Sequence, residues 1–151
     1  MNMPKTLPIG LLVLALLLNA CTFTETISNR EADKEQAQQV VSLFFLDLQN
    51  KNYDATYDLI SKKFFKVTSK DQLKNIYLLT QDKLGNLKDV TLSDWKSKIV
   101  SGTTHYAEYE FLYNTEYEKY SAQTKISLIR EDDNKIRIIE YRIQSNGFPG
   151  Q

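Results

Sequence analysis

The chain is short of the residues that most often build reactive centres. One cysteine and one histidine occur in 151 residues, Cys21 and His105. A lone cysteine excludes an intrachain disulfide, and the pair cannot supply the clustered ligands that a metal site needs. The acidic run Glu131-Asp132-Asp133 lacks the spacing of a calcium loop. No glycine-rich phosphate loop, no Gly-x-Ser-x-Gly and no paired Cys and His for a nucleophile is present, so the signals of nucleotide-using and hydrolytic enzymes are missing. Metal and cofactor are accordingly both predicted absent. Charge excess is missing too: 19 basic residues balance 19 acidic ones, whereas nucleic-acid binders normally show a basic surplus or patch. Long apolar runs are also scarce. A bilayer span needs about 20 apolar residues, and the dense run Ile9–Leu18 is roughly half as long.

What is present starts with the setting of that run. Lys5 precedes it and the small residues Asn19-Ala20-Cys21 follow it, the layout of a signal peptide rather than of a membrane helix. Leu18-Asn19-Ala20-Cys21 resembles the lipobox of bacterial lipoproteins. The resemblance implies cleavage between Ala20 and Cys21, with a diacylglycerol and palmitate carried on Cys21. Each buried methylene contributes about 0.8 kcal/mol, and two or more chains anchor a protein stably. The predicted address is therefore the cell envelope, lipid-anchored. Thr22 stands where an aspartate would mark inner-membrane retention, which implies the periplasmic face of the outer membrane in a host with two membranes.

The chain then divides into a signal peptide (1–20), a lipidated cysteine with a polar, flexible tether (21–33), one folded domain (34–145) and a C-terminal tail (146–151). In the domain, Ala37, Val40, Val41, Phe44, Phe45 and Leu48 form one stripe at helical period. NYDATYDLISKKF offers a second short helix with Tyr53, Tyr57, Ile60 and Phe64 on one side. Ser69-Lys70-Asp71-Gln72 has the form of a capping box, opening a third helix that Gly85 closes.

After Gly85 the period becomes alternating. Leu87 to Val100 reads as a strand whose parity changes, which predicts a bulge near Ser93-Asp94. His105, Ala107, Tyr109, Phe111 and Tyr113 share the inward face of the next strand. Tyr120 to Leu128 repeats the alternation, and Asp132-Asp133-Asn134 makes a turn. Ile136, Ile138, Ile139, Tyr141 and Ile143 fall on both parities of the last strand, which predicts cover on both faces at its start. The predicted fold is α+β: three N-terminal helices packed on a curved four-stranded antiparallel sheet.

This order of elements, the segment NKNYDATYDLISKKF after the long first helix, and the strand bulge together resemble the nuclear-transport-factor-2-like (cystatin-like) superfamily over about residues 31–145. More narrowly, they resemble its small bacterial lipoproteins of unassigned activity. The resemblance implies a cone whose helices and sheet enclose a pocket. It also implies that catalytic members, isomerases and dehydratases, place an aspartate or histidine inside the cone beside tyrosines. Fold alone does not choose among those roles.

Residues that could line such a pocket are Tyr53, Tyr57, Tyr77, Trp95, His105, Tyr109 and Tyr113, with Tyr141, each tyrosine offering an apolar body and a polar tip. His105 is the one candidate base, with Asp89 and Glu140 as carboxylates that could assist it. The plainer alternative is that these aromatics fill the core. The favoured function is a non-catalytic envelope lipoprotein that binds a protein partner or a small amphipathic ligand, with no catalytic residue. The alternative is a cofactor-free isomerase or dehydratase using His105 and a tyrosine. An assembly module would instead show a filled interior and an apolar patch on the far side of the sheet, suited to a homodimer.

Overall fold

The computed structural model describes residues 24–102 and 106–149. Strand β1 (Glu25–Ser28) comes first, then helix α1 (Glu31–Gln49), the short helix α2 (Tyr53–Thr56) and helix α3 (Lys70–Leu84). Strands β2 (Leu87–Ser101), β3 (Tyr106–Tyr117), β4 (Ser121–Arg130) and β5 (Ile136–Gln144) complete one antiparallel sheet in the order β1-β2-β3-β4-β5.

The sheet therefore has five strands rather than the four expected, and its first strand precedes the helices. β1 lies inside the stretch expected to be a tether. Its sequence, Glu25-Thr26-Ile27-Ser28, holds one apolar residue and no alternation long enough to show a strand. Pairing supplies what pattern lacks: Ile27 sits opposite Ile99 of β2. The class, α+β, is as expected.

Each helix forms for readable reasons. The stripe on α1 is buried at Ala37, Val41, Phe44 and Phe45, so tertiary packing holds that helix. At α3 the capping box is complete: Ser69 Oγ accepts from Gln72 N at 3.1 Å, and Gln72 Oε1 accepts from Ser69 N at 2.8 Å. Gly85 ends it at φ 88°, and its N–H donates to Gln81 O at 2.9 Å. The segment between α2 and α3 is not one helix. It breaks into 3₁₀ turns at Tyr57–Leu59 and Phe64–Lys66, separated by an extended Ile60. Ile60 bridges Ile138 in parallel, and Ser61 N donates to Ile138 O at 2.9 Å. That contact covers part of the outer edge of β5.

The sheet's parity changes are bulges. One falls between Leu92 and Asp94, at the expected place, and a second between Leu87 and Asp89. A third, in which Ser127 pairs with Glu140 but Leu128 with Ile138, leaves Ile139 as the extra residue. Ile138 and Tyr141 thereby reach the same face, so the mixed parity of β5 reflects a bulge and not two covered faces. Ala107, Tyr109, Phe111, Tyr113, Ile126, Leu128 and Ile138 form the sheet's half of the core against α1 and α3.

The opposite face is charged. Lys96, Glu110, Lys125, Glu140 and Arg142 cross four strands as a ladder of alternating sign, with Lys125 Nζ 2.8 Å from Glu110 and 3.4 Å from Glu140. The Lys125 hydrogen bond holds the Glu110 carboxyl below its usual range. Among the described residues the exposed large apolar side chains lie on helices and turns, at Leu43, Leu46, Val67, Ile76, Leu78, Leu79 and Tyr120. The patch expected on the far side of the sheet for an assembly module is thus replaced by charge.

Register gives the molecule two ends. At the Gly102 end lie the start of β1, the β2–β3 connection and the β4–β5 turn, because Glu25 pairs with Ser101 and Ala107 with Arg130. At the Gly85 end lie the close of α3, the start of β2 and the β3–β4 turn, where Leu87 pairs with Tyr117.

Candidate functional site

Four tyrosines converge at the Gly85 end. Tyr53 comes from α2, Tyr77 from α3, Tyr117 from the end of β3 and Tyr141 from β5, and with Leu48, Thr80, Gln81, Asn86 and Leu87 they line a cavity of about 30 Å³. That volume accommodates a water molecule or two. Ligand pockets are normally at least about 300 Å³. Aromatic edges fill the rest: Phe44 meets Tyr77 at 6.1 Å and Tyr141 at 5.3 Å between ring centroids, and Tyr53 meets Tyr77 at 5.3 Å.

The hydroxyls form a connected network. Thr56 Oγ1 donates to Tyr53 O at 2.6 Å, so the Tyr77 hydroxyl 3.2 Å from Thr56 must be the donor in that pair. Tyr53 Oη donates to Gln81 Oε1 at 2.8 Å, and Gln81 Nε2 donates to Asn86 Oδ1 at 3.3 Å. Tyr117 and Tyr141 line the same cavity beside this network. Burial pushes the Tyr117 phenol up to about 12 and raises Tyr53, Tyr77 and Tyr141 above the ordinary tyrosine value, Tyr141 further because the other phenols surround it. These phenols stay neutral at any physiological pH. They can donate hydrogen bonds, but they cannot take a proton, and no carboxylate or imidazole joins them among the described lining residues.

Of the residues expected to line a pocket, Tyr53 and Tyr77 line this cavity, with Tyr141, while Tyr109 and Tyr113 border separate open surface hollows of about 550 and 450 Å³. Tyr113 is buried core, its ring 5.0 Å from Phe45, and burial takes its phenol up to about 12. Tyr109 is buried beneath Arg130, whose Nη2 donates to its hydroxyl at 3.3 Å. Tyr57 lies at the other end of the helical layer, where its hydroxyl donates to Lys70 O at 3.3 Å and Lys70 Nζ sits 4.9 Å above its ring. Trp95 is half-buried under Lys34, 4.8 Å from the ring centre. His105, Ala20 and Cys21 lie outside the described residues. Asp89 is exposed, and Glu140 belongs to the charged ladder on the far face. Neither carboxylate enters the tyrosine cluster. Tyr117, Thr80 and Gln81 were not anticipated. Tyr117 shares the parity of Tyr113 and could have been placed by counting two strand steps further.

A latch closes this end. Glu118 Oε2 accepts from Asn86 N at 3.0 Å and Oε1 from Asn86 Nδ2 at 2.9 Å, while Lys88 Nζ approaches to 3.0 Å. The backbone and side-chain donors of Asn86, then Lys88, hold the Glu118 carboxyl down to about 2. A Cβ at Gly85 would stand 2.7 Å from Glu118 Cβ. Only glycine allows both the positive φ and this approach.

A second polar cluster occupies the Gly102 end. Arg137 grips Asp133 with two nitrogens, at 2.9 and 2.8 Å, and also pairs with Glu131, which accepts from Ser61 Oγ at 2.5 Å. The guanidinium holds the Asp133 carboxyl down to about 2. This cluster staples the segment after α2 to the β4–β5 turn. Its members are mutually satisfied, which is the signature of a structural tie.

No described helix is long and apolar enough to cross a membrane. Comparison with protein-family models, curated proteins and solved structures gives no match for the chain.

Proposed function

We propose that this chain is a non-catalytic lipoprotein domain of the bacterial envelope, held by acyl chains on Cys21 and working through its surface on a protein partner. In a host with two membranes it would face the periplasm from the outer membrane. The observation that carries the non-catalytic reading is the 30 Å³ left between Tyr53, Tyr77, Tyr117 and Tyr141. A space of that size favours a filled interior over a bound amphipathic ligand, and its neutral phenols supply no base for an isomerase or dehydratase. The address rests on Leu18-Asn19-Ala20-Cys21. The likeness to the nuclear-transport-factor-2-like superfamily enters on the same footing, as our reading of helices followed by a bulged antiparallel sheet, with β1 added in front.

One measurement tests both halves: the native and denatured masses of the full chain purified from a bacterial envelope, beside Cys21→Ser. The expected result is a chain beginning at acylated Cys21, no modification on the serine variant, and no non-covalent small-molecule adduct. An unmodified chain beginning at Met1 would remove the anchor. A reproducible adduct of a few hundred daltons on the native protein would restore the ligand-binding reading and send Tyr53, Tyr77 and His105 to mutagenesis.

A further inference from the structure

The described chain enters the sheet with Glu25 opposite Ser101, so its N-terminus emerges at the Gly102 end. Ser61 is tied to Glu131 at that same end. The segment that follows, Lys62-Lys63-Phe64-Phe65-Lys66-Val67, turns back on itself there, with Phe64 N donating to Ser61 O at 3.0 Å and Val67 N to Phe64 O at 3.1 Å. Phe64 anchors the turn in the core. Its neighbours point the other way: Lys62, Lys63 and Lys66 are exposed, and Val67 is 83% exposed, the most of any large apolar residue described. None of the three lysines forms an ion pair among the described residues. Of the acids in and beside the β4–β5 turn, Arg137 holds Glu131 and Asp133, while Asp132 and, before the turn segment, Asp58 stand exposed.

We infer that this corner docks on anionic phospholipid, with Lys62, Lys63 and Lys66 meeting lipid phosphates and Val67 entering the headgroup boundary. The inference rests on the lipid anchor proposed above. Three residues lie between Cys21 and Glu25, and the four Cα–Cα steps from one to the other span at most about 14 Å at full extension. Acyl chains on Cys21 thus bring the Gly102 end, and no other, against the bilayer. Charge selects the lipid. Near an anionic leaflet each lysine contributes about a fivefold gain in binding, and the attraction reaches about one Debye length, roughly 10 Å. An exposed valine between lysines suits an interface that is apolar within and charged at its rim.

The test uses the chain from Thr22 onward, which carries every described element and no Cys21. It is sedimented with phosphatidylglycerol or phosphatidylcholine vesicles at millimolar lipid and low salt. Binding to the anionic vesicles alone is expected. The triple variant Lys62→Gln, Lys63→Gln, Lys66→Gln should weaken it about a hundredfold, at about fivefold per lysine. The matched triple Lys51→Asn, Lys83→Gln, Lys88→Gln at the Gly85 end should weaken it less than about twofold. No binding to anionic vesicles, or equal loss in the two triples, overturns the inference. Because this chain begins after Cys21, its result is independent of the mass measurement, and loss of the anchor is seen separately from loss of the docking corner.

Discussion

The two ends of the sheet use polar groups in opposite ways. At the Gly85 end, beneath the Glu118–Lys88 latch, the enclosed ones are hydroxyls and amides turned inward, neutral and linked through Tyr53, Gln81 and Asn86. At the Gly102 end they are charges, some locked in the Arg137 cluster and others, at Lys62, Lys63 and Lys66, turned to solvent. A neutral enclosed network fixes the shape of the core and offers little to a partner, because its hydroxyls and amides are turned toward one another. An open charged corner stabilises the fold little and remains available for contact. Aromatic residues gathered at one end therefore need not mark a binding pocket, and plain lysines at the other can mark a surface.

The contrast can be broken hardest at Phe44, which is fully buried and touches Phe45, Tyr77 and Tyr141. Phe44→Ala should lower the unfolding free energy by about 3–5 kcal/mol, read from the midpoint of denaturant unfolding. Val67→Ala at the other end should stay within about 0.5 kcal/mol; similar losses from the two would erase the distinction.

A smaller effect is expected at Gly85. Gly85→Ala should cost about 1–3 kcal/mol from the positive φ, with a further loss from collision with Glu118. Placing it on a Glu118→Gly background, which removes the Cβ that the new methyl meets, should recover the collision and leave the backbone part, read against Glu118→Gly alone. Complete recovery would show that φ carries no strain.

The smallest effect compares acids. Glu118 and Asp133 both sit at about 2 in the folded chain, below their ordinary 4.5 and 3.8. A depressed carboxyl stabilises the fold fully above its unfolded value and loses that contribution as pH falls toward the folded one. Stability should thus decline between about pH 4.5 and 2. Glu118→Gln should flatten that decline more than Asp133→Asn, and added salt should shrink both effects, since both groups are exposed. A decline that neither substitution alters would place the acid sensitivity elsewhere.

Much of this was legible in the chain. Ser69, Gln72 and Gly85 announce α3 because capping is local chemistry, and the parity change at Ser93 announces its bulge because a strand with one buried face tolerates no slip. β1 was hidden because four residues with a single isoleucine carry no period; its partner, 72 residues away at Ile99, defines it. The mixed parity of Ile136–Ile143 contained the third bulge, but alternation alone does not distinguish a bulge from a strand buried on both faces. For the site, the number of tyrosines was visible and their grouping was not. Which of them meet depends on Phe44, in the preceding helix, and on the end of β3, where Tyr117 is remote in sequence from Tyr53.

One consequence of the bulges concerns copies of the chain meeting one another. β1 pairs with β2 only from Lys98 to Ser101, and Asn29 extends the cover to Ser97. From Leu87 to Lys96 that side of β2 has no strand neighbour among the described residues. A straight edge of this length would invite a second chain to add to it. Here register shifts after Leu87 and Leu92 interrupt the row of donors and acceptors, and Lys88, Asp89, Asp94 and Lys96 stand exposed along it. An edge broken in this way is a poor template for strand addition by a second copy of the chain.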